Sequence, residues 1–292
     1  MVLEDLLTPE GAERKPWHML PLGALYASIG VFLALWIFRE QASLIVVFLT
    51  VMACIPLLYK IIKFEEDKET KIDKEMGILR EHRKALLAFI YLFMGFVLAY
   101  SVWFIALPAD YVKDLFSTQM FTISSINNQV TANAVSGSML TGNIAGMGLL
   151  WSIIANNLKV LFFCVFFSFF YGAGAIFILA WNASVISAAI GSFVRSNIEK
   201  LAVAEGFMRV VTYTHMYAIG MTRYMTHGIF EILAYFIGGL AGGLISVAII
   251  RHRMGESMFN KVMMDALDLI VLAIICTLFA GIIEVYVTPL IV

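Results

Sequence analysis

His227-Gly-Ile-Phe-Glu231 opens an apolar run that continues to residue 250 with Gly238, Gly239, Gly242 and Gly243 inside it, and Glu231 is the only charged residue between 229 and 250. A helix that is apolar on every side has no face to turn to water, so a run of this length reads as a membrane span, for which about 20 residues suffice. A carboxylate within such a span is costly and marks a place with a structural or functional task. The last apolar run repeats the pattern with Glu284, in Ala280-Gly-Ile-Ile-Glu284-Val-Tyr-Val-Thr-Pro289.

The rest of the chain agrees with a membrane setting. Of 292 residues, 61% are hydrophobic and 14% are charged, and the mean hydropathy of +0.88 is more than a water-soluble domain of this size could hide. Apolar runs near 19–38, 42–62, 86–107, 160–180, 183–194, 229–250 and 268–288 predict an all-α, polytopic transmembrane helical bundle of about seven segments. The fifth is short and fits either a tilted crossing or a re-entrant segment. Lys60 and Asp268 sit at run ends, within reach of headgroups. Net charge is −1 and the basic residues are sorted between loops, so no nucleic-acid partner is expected. Cys54, Cys164 and Cys276 lie singly in apolar runs, which predicts packed hydrophobes with neither a disulfide nor a metal.

Orientation follows from the basic residues of short loops. Segment 60–84 carries Lys60, Lys63, Lys68, Lys71, Lys74, Arg80, Arg83 and Lys84, which assigns that loop and the N-terminus to the cytoplasm of a multi-pass cell-membrane protein. The mixed charges of 65–84 predict helix extending beyond the membrane. The 108–159 connection, polar and nearly free of basic residues, is then external. If the fifth run crosses, 195–228 is external as well, with an interfacial amphipathic helix, and the uncharged C-terminal ending favours that reading. The five tryptophans fall near span ends, as interfacial belts do.

Helical spacing puts His227, Glu231, Tyr235, Gly238, Gly242 and Ser246 on one face. The pairs Gly238/Gly242 and Gly239/Gly243 are spaced for close helix approach. Thr277, Gly281, Glu284 and Thr288 form a similar face on the last run, and Ser184, Ser187 and Gly191 on the fifth. The short 251–267 connection makes the last two spans antiparallel neighbours, so Glu231 and Glu284, about 3 Å and about 6 Å below one boundary, can share a site, with His227 beside them and Asn156 and Asn157 opening on the same side. No nucleophile elbow, phosphate loop or paired mid-span aspartates occur, and His-x-x-x-Glu lacks the second histidine of the zinc motif. No catalytic residue, metal or cofactor is expected.

From about residue 85 onward the chain resembles the stage II sporulation protein M family of bacteria and archaea. The resemblance rests on Asn156-Asn-Leu-Lys-Val before a glycine-containing helix, Asn182 at that helix's end ahead of a small-residue run, His227-Gly-Ile-Phe-Glu231, and Ala280 to Pro289. It implies a five-span membrane core over 85–292, with 1–84 a separate two-span hairpin plus charged loop. The family's namesake is a membrane scaffold that works with cell-wall hydrolases during engulfment and is not itself the hydrolase. Together these observations predict a non-enzymatic scaffold, held by a polar latch of His227, Glu231 and Glu284, which binds other membrane or extracytoplasmic proteins or further copies of itself within the lipid bilayer. The alternative is an ion or small-solute transporter that uses the same three residues, and a metal-dependent membrane enzyme is a weaker third.

Overall fold

The computed structural model describes residues 15–69, 78–138, 142–171, 175–200, 207–251 and 257–291. Among them there is no strand. A 3-10 turn at Pro16–His18 leads into α1 (Met19–Ile37), followed by α2 (Ala42–Glu69), α3 (Ile78–Ala106), α4 (Ala109–Ser138), α5 (Gly142–Tyr171), α6 (Ala175–Lys200), α7 (Phe207–Arg251) and α8 (Ser257–Ile282). A π-helical turn at Ile283–Val287 then joins α8 to α9 (Thr288–Ile291). Seven of the described helices, all but α4 and α9, contain a stretch long and apolar enough to cross a membrane. The break between α3 and α4 falls at Leu107-Pro108, where the residue before a proline is excluded from the helical region and the proline is suited to open the next helix.

Side-chain contacts set the direction of each helix. Ser187 Oγ donates to Val97 O at 3.0 Å and Arg195 reaches Ile105 O at 3.3 Å, both 90 residues apart, so α6 runs parallel to α3. Phe89 stacks on Phe236, while Ser101, further along α3, lies against Tyr217, earlier on α7, so α7 runs antiparallel to α3. Leu161 and Val165 of α5 advance with Gly238 and Gly242 of α7, which makes those two parallel. His227 pairs with Thr288, which turns α8 back against α7. The spanning helices therefore alternate between a basal end, where α2 stops and α3 starts, and an apical end, where α6 stops and α7 starts. At the apical end α4 doubles back beside α2, with Arg39 on Asp114 and Ser43 on Thr118 at a constant separation of 75 residues.

One continuous apolar core links α1 to α8, with Phe93, Phe96, Tyr100, Phe116, Leu240 and Leu244 fully buried. Helices α1 and α3 meet backbone to backbone: a Cβ at Gly23 would strike Leu92 O, and one at Gly95 would strike Leu20 O. Phe236 of α7 stacks on Phe89 at 5.7 Å and meets Phe93 edge-on at 6.1 Å.

Several sequence expectations change. The short fifth run is a 26-residue helix, α6, with an apolar span from Ile176 to Ile198, so the re-entrant option falls. The fourth run is divided between α5 and α6, whose junction at 172–174 lies outside the described residues. The 108–159 connection is not a loop: α4 and the first half of α5 occupy it. The described residues of 195–228 are the end of α6 and the first half of α7, and α8 begins at Ser257, which puts Asp268 inside a helix instead of at its end. In α6 and α7 short polar side chains bond to their own helix: Asn182 donates to Ile178 O, Asn197 to Phe193 O, and Thr212, Thr214, Thr222 and Thr226 each to the carbonyl four residues back. Such side chains leave no polar group unpaired, so a helix can continue where hydropathy alone reads a boundary.

Candidate functional site

Because α7 is continuous from Phe207 to Arg251, its helical repeat carries His227, Glu231, Tyr235, Gly238 and Gly242 down one face. The glycines determine what can approach that face. A Cβ at Gly242 would meet Val165 O and Ser168 Cβ of α5, and one at Gly238 would meet Leu161. With α5 held this close, Asn157, buried at 5% exposure, donates from Nδ2 to Glu231 Oε1. Helix α8 arrives from the other side, where Gly281 lies against Ile154 and Phe230 packs edge-on to Phe279 at 5.0 Å.

Glu284 then lies beside Glu231, close enough for the two carboxyl groups to act on each other directly. Tyr235, buried one turn further along α7, is within electrostatic reach of both acids. His227, one turn the other way, does not join the pair. Its Nδ1 lies 3.3 Å from Thr288 Oγ1, and that hydroxyl also donates to Ile283 O, five residues back. The π turn at Ile283–Val287 that carries Glu284 has a local cause: a proline at 289 cannot donate to residue 285, and the helix widens in the preceding turn.

The structure thus brings Glu231, Glu284 and Asn157 together from three helices and seats His227 on a neighbouring contact. Asn156 points away and is exposed. Gly238, Gly242 and Gly281 lie at helix contacts, and Gly239 and Gly243 are buried. Asn182 sits inside α6 and not at its end, because its amide is bonded to its own helix. Glu231 is near the middle of α7, although Glu284 is in the last turns of α8's apolar run; the expected boundary at residue 229 fails because the helix continues far beyond it. Among the described residues, no three His, Cys, Asp or Glu side chains converge as metal ligands.

A second polar knot was not legible in the sequence. Gln119 of α4 is fully buried and donates to Ser43 O at 2.9 Å and Ser184 Oγ at 3.2 Å, and Tyr100 donates to Thr50 at 2.7 Å. Arg195 closes the end of α3 by donating to Leu107 O and Ile105 O, with its guanidinium over the Phe104 ring. A cation at a helix C-terminus answers both the free carbonyls and the negative end of the helix dipole. The one usable signal was the small-residue stripe Gly23, Ala27, Gly30, Ala34, all buried.

Comparison with known proteins places this geometry. A family model described as Stage II sporulation protein M matches residues 85–289, a range that contains Asn157, Glu231 and Glu284 and excludes α1 and α2. An uncharacterised protein of Methanocaldococcus jannaschii is 29% identical over 141 residues, which cover 47% of this chain and 70% of the relative. No solved structure matches the chain.

Proposed function

The chain belongs to the stage II sporulation protein M family, and from that premise we propose that it is a non-enzymatic membrane scaffold that assembles with other membrane or extracytoplasmic proteins. The observation that carries this reading is the latch: Asn157 of α5 donates to Glu231 of α7, and Glu284, in the turn that ends α8, is brought against the same carboxyl, as a tie between helices requires. In a bilayer, where water exclusion cannot hold helices together, such ties and the glycine contacts beside them supply the rigidity a scaffold needs. The sorting of basic residues supports an orientation with the basal end in the cytoplasm.

The test is purification of the tagged chain from its native membrane in mild detergent, with identification of what accompanies it. A scaffold brings a stoichiometric partner that survives Glu231→Gln, whose amide can still bridge Asn157 and Glu284, and is lost with Glu231→Leu, which cannot. Absence of any partner, together with a pH-driven ion flux in liposomes that Glu231→Gln and Glu284→Gln abolish, would overturn the scaffold in favour of a transporter lined by the same residues.

A further inference from the structure

Between α3 and the first half of α7, on the side of the bundle away from the carboxyl latch, runs a groove of about 640 Å³, within the range of roughly 300–1,000 Å³ typical of small-molecule sites. Its walls are Leu98, Val102 and Ile105 of α3 and Arg209, Tyr213 and Tyr217 of α7. Leu98 and Val102 are exposed, so the groove opens sideways, towards the lipid. Its chemistry is ordered along the membrane normal. Arg209 stands at the apical start of α7, and Tyr217 lies two turns further in, about 12 Å along the helix. Between them the walls are apolar apart from Tyr213 and from Thr214, whose hydroxyl donates to Val210 O on its own helix.

One feature of this groove is left open by the described residues. Among them no carboxylate pairs with Arg209, whose guanidinium rests over the Tyr213 ring at 5.8 Å. Deeper in, the Tyr217 ring lines the groove while its hydroxyl is buried against the fully buried Ser101. A free anion would satisfy Arg209 alone and leave the apolar walls bare. An apolar helix of another protein would fill the walls and leave Arg209 unanswered.

We propose that this groove holds one anionic, phosphate-headed lipid of the apical leaflet, with its phosphate on Arg209 and an acyl chain along Val102, Leu98 and the Tyr217 ring. A guanidinium is suited to phosphate because its donors form a planar fork that meets two oxygens at once. The assignment is independent of the scaffold reading, since it uses none of the latch residues.

The test is lipid titration of the purified full-length chain, read by native mass spectrometry, with phosphatidylglycerol, phosphatidylcholine and diacylglycerol as probes. One phosphatidylglycerol is expected to bind in preference to the other two. Arg209→Gln is expected to weaken it about tenfold, the value of one charge-assisted hydrogen bond. Ala106→Phe, which fills the groove from its exposed rim, is expected to abolish binding, with unfolding midpoints of both variants unchanged. Equal binding of all three lipids, or equal phosphatidylglycerol binding by wild type and both variants, would overturn the proposal. So would displacement by inorganic phosphate alone, or a protein cross-linked in native membranes to Val210→Cys on the groove wall.

Discussion

Asn157 and Asn156 are adjacent and chemically identical, and the fold gives them different work. Asn157 is buried and donates to Glu231, while Asn156 faces outward. Replacing Asn157 with leucine removes the donor and leaves a Glu231 oxygen unpaired at a helix contact, which costs about 1–3 kcal/mol. Asn156→Leu removes nothing buried and is expected to stay within about 0.5 kcal/mol of wild type. Unfolding midpoints of the two variants in the same detergent check this, and equal shifts would show that the latch is not where the hydrogen bonds put it. The sequence offered both asparagines because both precede an apolar run at suitable spacing. Choosing between them needs the rotation of α5, and that is set by Gly238 and Gly242 on α7.

At the level of the element, α7 shows what its glycines do. Gly242 has no room for a side chain, because a Cβ there would meet the Val165 carbonyl, backbone that cannot swing aside. Gly242→Leu is expected to push α5 off α7 and destabilise the protein by about 1–3 kcal/mol, the usual cost of forcing extra volume into a packed contact. Gly148→Leu is the matched control. Nothing lies within 4 Å of its Cβ direction, and leucine favours a helix over glycine by several tenths of a kcal/mol, so this change is expected to be neutral or mildly stabilising. Thermal or detergent-induced unfolding of the pair checks the contrast, and a similar loss in both would mean that glycine flexibility, not close approach, is what these two helices need. The same element shows where reading boundaries from hydropathy fails. The threonines of its first half bond to their own helix. A stretch that reads as an interfacial amphipathic helix outside the span joins the apolar half of α7 in one continuous helix of 45 residues.

For the whole molecule, the alternation of α1, α2, α3, α5, α6, α7 and α8 between two ends makes a topology that can be tested. Ser196, near the end of α6, and Asn260, near the start of α8, are both exposed and lie at opposite ends. With the basal end cytoplasmic, Ser196→Cys is expected to react with an impermeant maleimide on intact cells and Asn260→Cys only after permeabilisation. Reversed labelling would invert the protein in the membrane, and labelling of both from one side would mean that α7 does not cross. Trp17 and Trp36, exposed at the two ends of α1, and Trp151 in α5 suit interfacial belts. Trp103 does not, since its indole donates to Ser28 at 3.1 Å inside the α1–α3 contact.

The amino-acid sequence by itself determined that this is an all-helical membrane bundle of seven long apolar helices, that its last two spans lie side by side, and that Glu231 and Glu284 can meet. These are properties of single residues and of short chain connections: transfer from water to lipid is summed residue by residue, and a short connection leaves little freedom. Only the tertiary structure decided that Asn157 completes the pair while His227 turns to Thr288, that α6 is a full-length helix, and that α4 folds back to bury Gln119. Those outcomes depend on which faces two helices present to each other, and that rotation is set by glycines, a proline and hydroxyls bonded to their own backbone, whose effect is felt only once a neighbouring helix is in place.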